Sequence, residues 1–343
     1  MNESISEEFR RALADLCTDE RVRAVEAGQH AHALWEAVDA LGYTDALVAE
    51  EHGGAGLSLA EAGELASAAG HAGLGHPFGE TMLARALLAR AGCEVERTAI
   101  AIARAQPAHD AAIVCREVSG AQLAQHVLVE AGSEWLLMPC KAASMTAGRF
   151  RPQASASLRW TSREQAVVRM ARGAETAESL CSAVHAAAMA GAMARILELT
   201  LRYAGDRRQF GKAIDQFQAV QQDLAVLAEE AHASAVAARI GCAGEAALPD
   251  ALLAAVAKLR ACEAAAPAVA IAHAVHGAIG VTEEHMLGIF TARLHEWRAA
   301  PGTERACAER LGRGVLGADG LSLSRFVATR LAPAAATAAE ARA

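Results

Sequence analysis

Apolar residues recur at three- and four-residue spacing in EEFRRALADLC and TMLARALLARAG, and that period predicts helices joined by short turns across residues 1–104. One loop interrupts them: the Gly run at 53–56 precedes Ser58, which can cap a helix together with Glu61 three positions on. Between about 107 and 170 the helical period disappears. Short runs such as AAIVC, HVLVEAG, EWLLMPC and LRWTS, separated by Gly, Ser and Pro, predict a small β-rich insert over 105–172. Long helical patterns return at 176–204, 215–244 and 249–275, and the second carries Phe217, Val220, Leu224, Leu227 and Ala231 on one stripe. Three helices of ~40 Å imply an antiparallel bundle occupying 173–330. Pro267 falls inside the third pattern, where a kink or break is expected. The closing LAPAAATAAEARA, from 331 to 343, lacks an apolar stripe and is expected to be disordered.

Composition narrows what such a chain does. With 343 residues, 53% hydrophobic and 21% charged, it can bury a sizeable core over two or three subdomains. A formal net charge of −8, with no basic run, argues against a general nucleic-acid surface. The eight cysteines (Cys17, Cys93, Cys115, Cys140, Cys181, Cys242, Cys262, Cys307) form no C-x-x-C pair and have no His partner at metal-ligand spacing, so they read as small buried hydrophobes. The polar, acidic start MNESISEEFRRALADLC is unlike a secretory signal, and the Ala-rich stretch at 182–197 is interrupted by His185 and Arg195, short of a membrane span. A cytoplasmic protein is the expectation.

Three segments carry a resemblance. RYAGDRRQFGKAIDQFQAVQQDLA, HGAIGVTEEH and LGYTDALVAEEHGGAGLSLAEAGELASAAGHAG resemble, in the right order, motifs of the acyl-CoA dehydrogenase family. The resemblance implies a mainly α fold: an N-terminal helical domain, a middle β domain, here truncated, and a C-terminal antiparallel four-helix bundle. It also implies FAD-dependent α,β-dehydrogenation of an acyl-CoA thioester, with electron-transfer flavoprotein as electron acceptor. Members use a glutamate to remove the α proton, because so weak a carbon acid needs a positioned base beside a site that stabilises the enolate. They also lend each other half of the FAD site. By that resemblance Arg207, Phe210, Gly211 and Gln218 form one lent set and Gly277 and Gly280 another, with Thr303 and His276 as further cofactor-binding candidates. A forked guanidinium suits pyrophosphate, and glycines let backbone amides come close. Taken alone, Arg207 and Arg208 equally suit the C-terminal end of a helix dipole, and His276 equally suits a structural role. A family glutamine is replaced by Ala274.

Two departures decide the reading. The usual catalytic glutamate, in a pattern like Y-E-G-T, falls on Pro301 of APGT, and the alternative position on the first bundle helix falls on Leu180, Cys181 and Ser182. Neither place has a base. The T-E-x-x-x-G-S-D segment of the family's flavin cradle is also missing from residues 99–130. What is lost serves a subunit's own flavin; what remains is the half given across an interface. The pattern resembles the short non-catalytic subunits of heteromeric, α2β2 acyl-CoA dehydrogenases, including those of bacterial steroid side-chain degradation. Two alternatives stay open: a homomeric enzyme with a displaced base at Glu304 or Glu296, and a CoA-binding or structural member without redox chemistry. A homodimer or heterotetramer through the bundle follows from the trans role.

Overall fold

The computed structural model describes residues 5–331 apart from 95, 109, 149–153, 245 and 319, so the tail from 332 onward lies outside the described residues. Five helices come first: α1 (Ile5–Leu16), α2 (Asp19–Glu26), α3 (Ala31–Asp39), α4 (Leu59–His71) and α5 (Phe78–Arg90). The start of α4 is a complete capping box: Ser58 Oγ accepts from the Glu61 amide (3.3 Å) and a Glu61 carboxylate oxygen accepts from the Ser58 amide (2.9 Å).

Seven strands follow: β1 (Ile100–Arg104), β2 (Ile113–Val118), β3 (His126–Ala131), β4 (Glu134–Pro139), β5 (Ser144–Ala147), β6 (Ala156–Trp160) and β7 (Val168–Ala171). They make two sheets, β1-β3-β4-β7, parallel only between β1 and β3, and antiparallel β2-β6-β5. The period of two along a strand serves two cores at once. Ile100, Ile102 and Leu128 enter the main helical core, while Ala101, Ala103, Val127 and Val129 face a second core shared with the smaller sheet.

The bundle consists of α6 (Ala177–Asp206), α7 (Gln218–Gly241), α8 (Ala251–His276), α9 (Leu287–Ala299) and α10 (Glu304–Leu316), with a two-stranded ribbon, β8 (Arg208–Gln209) and β9 (Lys212–Ala213), between α6 and α7. Helices α6, α7 and α8 pack on one another, α10 lies on α8, and α9 lies on α6. Close approach between α4 and α6 requires glycine. A Cβ on Gly191 would lie 1.9 Å from the Ser67 carbonyl oxygen, and one on Gly70 would lie 2.1 Å from that of Ala188.

Two expectations change. The third long helix is not broken at Pro267; α8 runs through it, held by Ala264, Ala265 and Ala268, which are buried in the bundle core on either side. The expectation that no segment reaches membrane-spanning length also fails, because α6 and the segment Ala251–Val281 are long and apolar enough by length and composition. Packing accounts for α6, which is mostly buried. The apolar window of α8 is only a third buried, leaving Leu259, Ala266, Ala270 and Ala274 partly or wholly exposed.

Candidate functional site

Both positions where the sequence lacks a base meet in space. The loop between α9 and α10 turns at Gly302 (φ +83°), and a Cβ added there would lie 2.0 Å from Ser182 Oγ on α6. Lys258 of α8, wholly buried, donates its Nζ to the Gly302 carbonyl oxygen at 3.0 Å, and the Cys307 thiol donates to the same oxygen at 3.3 Å. Pro301 is half-buried, and Leu180 and Cys181 are inaccessible. Burial pushes the Cys181 thiol well above its ordinary range and raises that of Cys307, so neither offers a thiolate. Cys17, Cys115, Cys140 and Cys242 are pushed up to about 12 by the same cause.

Between α5, α6 and α9 a cavity of about 20 Å³ remains, lined by His76, Glu80, His185 and Trp297. That holds one water and no acyl chain. Glu80 and His185 occupy its wall as a buried pair at 2.6 Å. Ala183, Ala187, Met189 and Met193 of α6 are all buried in the core. Gly302→Ala is expected to lower stability by about 2 kcal/mol or more, since it combines a left-handed backbone with a collision into Ser182. Thermal unfolding measures it, and Ser182→Ala in the same chain should recover part of the loss.

Glu296 is not free to act as a base. It is buried, its Oε2 accepts from Arg293 at 2.8 Å, and its Oε1 accepts from Ser119 Oγ (2.9 Å) and the Gly120 amide (3.1 Å). Its surroundings make it a tie between α9 and the loop after β2. Glu304 opens α10, exposed, and pairs with Arg298 at 3.3 Å. Thr303 caps α10, its hydroxyl accepting from the Ala306 amide at 3.3 Å. That capping bond places it with the Pro301 loop rather than with the remaining cofactor candidates.

Those candidates lie on two segments, with Arg207, Phe210, Gly211, Gln218 and Gly277 exposed and His276 and Gly280 buried. Arg207 caps the C-terminus of α6 in an extended conformation and is exposed. The ribbon after it turns at Phe210 (φ +50°, 93% exposed) and Gly211 (φ +82°), so an aromatic ring projects fully into solvent. Lys212 folds back over the Phe217 ring at 4.1 Å, and Gln218, exposed, begins α7. On the second segment Gly277 (φ +60°) ends α8 and starts a 3₁₀ turn to Val281 in which Gly280 is buried. The segments are joined: Tyr203, one turn before Arg207, stacks on His276 with ring centroids 4.6 Å apart. His276 is buried, its Nδ1 donating to the Ala272 carbonyl at 2.8 Å.

Sequence reasoning missed Lys258, the Glu80–His185 pair and a groove of about 530 Å³ at one end of the larger sheet, lined by residues including Glu94, Thr98, His126, Lys141 and Val167. No motif marks any of them; a lysine amid the alanines of α8 was the one available signal for the first.

Comparison with known proteins agrees with this geometry. Residues 2–100 match the model described as acyl-CoA dehydrogenase, N-terminal domain, and residues 162–316 match acyl-CoA dehydrogenase, C-terminal domain; the strands from 101 to 161 lie in neither. The chain is 30% identical over 293 residues to acyl-CoA dehydrogenase IpdE2 of Mycobacterium tuberculosis (strain ATCC 25618 / H37Rv), covering 80% of this chain and 84% of that protein. Among solved structures it superposes on the Tcur3481-Tcur3483 steroid ACAD G363A variant with a TM-score of 0.77 at 24% identity, over 91% of this chain and 96% of that one. The ChsE4-ChsE5 complex of Mycobacterium tuberculosis gives 0.71 at 20% identity, over 94% of this chain and 99% of that one. With both terminal domain models matched and a curated relative aligned over four-fifths of its length, the chain belongs to the acyl-CoA dehydrogenase family.

Proposed function

We propose that this chain is an accessory subunit of a heteromeric acyl-CoA dehydrogenase, completing the FAD site of a catalytic partner and carrying no turnover itself. The observation that carries the reading is the closure of its own base positions: Gly302 packs on Ser182, and Lys258 holds the loop. Arg207, Phe210 and Gly277, in contrast, are exposed. The exposed guanidinium of Arg207 suits a pyrophosphate, the amides of the Gly277 turn can approach it closely, and the Phe210 ring is placed to reach across an interface. FAD, when bound, supplies the hydride acceptor. The partner would supply the base, the flavin cradle and the acyl pocket. The half-exposed apolar stripe on α8 supports association through the bundle, since an exposed stripe of this kind marks a contact surface.

The names of the relatives narrow the substrate class. The compared structures include a steroid ACAD and a two-component complex. A steroid-derived acyl-CoA as the partner's substrate, with electron-transfer flavoprotein as acceptor, completes the proposal. The purified chain is expected to be colourless and to bind FAD weakly, whereas co-purification with a catalytic chain that keeps its glutamate should give a yellow, active complex. Stoichiometric FAD and dehydrogenation by this chain alone would overturn the reading, and loss of that activity in Glu304→Gln would instead establish the homomeric enzyme.

A further inference from the structure

The two segments read as lent are held together by aromatic rings at their ends. Tyr203 of α6 stacks on His276 of α8 at 4.6 Å and 24°, and His276 contacts His285, from the connection to α9, at 4.6 Å and 59°. Tyr203 and His285 also meet edge-on at 6.5 Å, so three rings from three segments form one cluster, a column bent at His276. Tyr203 lies one turn before Arg207 and His276 immediately precedes Gly277, so the column spans the base of both segments. Its hydrogen bonding favours neutral rings. His276 donates through Nδ1 to the Ala272 carbonyl, and its buried Nε2 meets no partner among the described residues; His285 Nδ1 accepts from the Leu287 amide at 3.1 Å. Both rings are thus suited to the neutral form. A proton on the Nε2 of His276 would create a buried donor with nothing to receive it.

We propose that Tyr203 and His276 are positioning residues that keep the Arg207 and Gly277 segments in register, and that His285 makes this brace sensitive to acid. This rests on the reading of those segments as a lent cofactor site. The surroundings set the sign. From α8, His273 faces His276, with its own Nε2 on Thr291 Oγ1 of α9 at 3.1 Å. From α9, His295 faces His273, beside Arg298. From α2, Arg23 and Asp19 face His285, and Arg23 donates to the Glu284 carbonyl at 2.6 Å. Glu283 and Glu284 lie on the connection itself. Charging His276 and His285, with His273 beside them, therefore gathers up to three imidazolium ions, and of these His285 faces both Arg23 and Asp19.

Burial is the first cause that lowers the pKa of His273, His276 and His285 below the ordinary 6.5, and their mutual repulsion adds to it in each case but that of His273. The folded column binds protons less readily than the unfolded chain. Its stability is complete above about 6.5 and is lost as pH falls below that.

Hydrogen exchange on the chain alone, expressed as protection factors for residues 273–287 so that intrinsic pH effects cancel, tests the brace without FAD. Protection is expected to fall at least tenfold between pH 7.5 and 5.5 in the wild type. The double variant His276→Phe/His285→Asn keeps an aromatic stack and an acceptor for the Leu287 amide but cannot titrate, and should hold its protection at pH 5.5. In the complex with a catalytic chain, FAD release should accelerate over the same pH interval in the wild type and not in the double variant. Unchanged protection in the wild type, or an equal fall in the variant, would overturn the brace. If protection responds as expected while the complex binds no FAD at any pH, the brace stands as a fold device and the lent cofactor site is what fails.

Discussion

Arg207→Ala is expected to leave this chain folded and to weaken FAD retention by its complex with a catalytic chain ten- to a hundredfold. The first half follows from exposure: among the described residues the Arg207 guanidinium has no ion pair, and only its backbone is tied, its amide to Tyr203 and its carbonyl to Ile214. Substitutions at such sites cost little stability. The second half follows from charge. A hydrogen bond to an ionised group contributes about 1.5–3 kcal/mol, which is about one to two powers of ten in Kd. Arg207→Lys should recover only part of the loss, because an ammonium cannot place two parallel donors on a phosphate. Fluorescence of FAD released on dilution measures the effect, with Arg208→Ala, on the ribbon beside it, as the comparison. Equal retention in wild type and Arg207→Ala would remove Arg207 from the cofactor site and leave it as the residue that ends α6.

Local rules made much of the fold legible. The Ser58 capping box, the strand segments and the three long bundle helices each depend on residues within a few positions of one another, and a sequence displays such relations directly. That Pro301 cannot carry a carboxylate was legible too. The buried polar contacts of the core were not. Lys258 meets Gly302 across 44 residues and His185 meets Glu80 across 105, and nothing in a one-dimensional pattern reports these pairings. The same limit explains Glu296. Near Pro301 and titratable, it looked available to chemistry; only the fold reveals that Ser119, Gly120 and Arg293 already take its oxygens. The capping role of Thr303 was not read from the sequence either, although its hydroxyl accepts from an amide only three residues on. Pro267 shows tertiary packing overriding a local rule.

Arg293→Leu should be the most damaging single substitution in the chain, lowering stability at pH 7.5 by about 3–5 kcal/mol. Arg293 is buried between Glu26 of α2 and Glu296 of α9, and through Glu296 it also reaches the loop after β2. Leucine fills part of the volume but abandons two buried carboxylates. Their fates differ: Glu296 keeps the Ser119 and Gly120 donors, whereas Glu26 loses its guanidinium and already has an unpartnered Oε2. Burial raises the Glu26 pKa even in the wild type, with Arg293 as the main opposing influence, so the substitution raises it further. A carboxyl whose folded pKa lies above its unfolded value stabilises the fold as pH falls through the folded value. The gap between variant and wild type should therefore narrow from pH 7.5 to 5.5. Adding Glu26→Gln removes the orphaned charge and should recover stability at pH 7.5 while abolishing the pH dependence due to Glu26. Thermal unfolding of the three proteins at both pH values separates the cases. A gap that stayed constant with pH would mean that Arg293 matters for the volume it fills against Gly75 rather than for the charges it pairs.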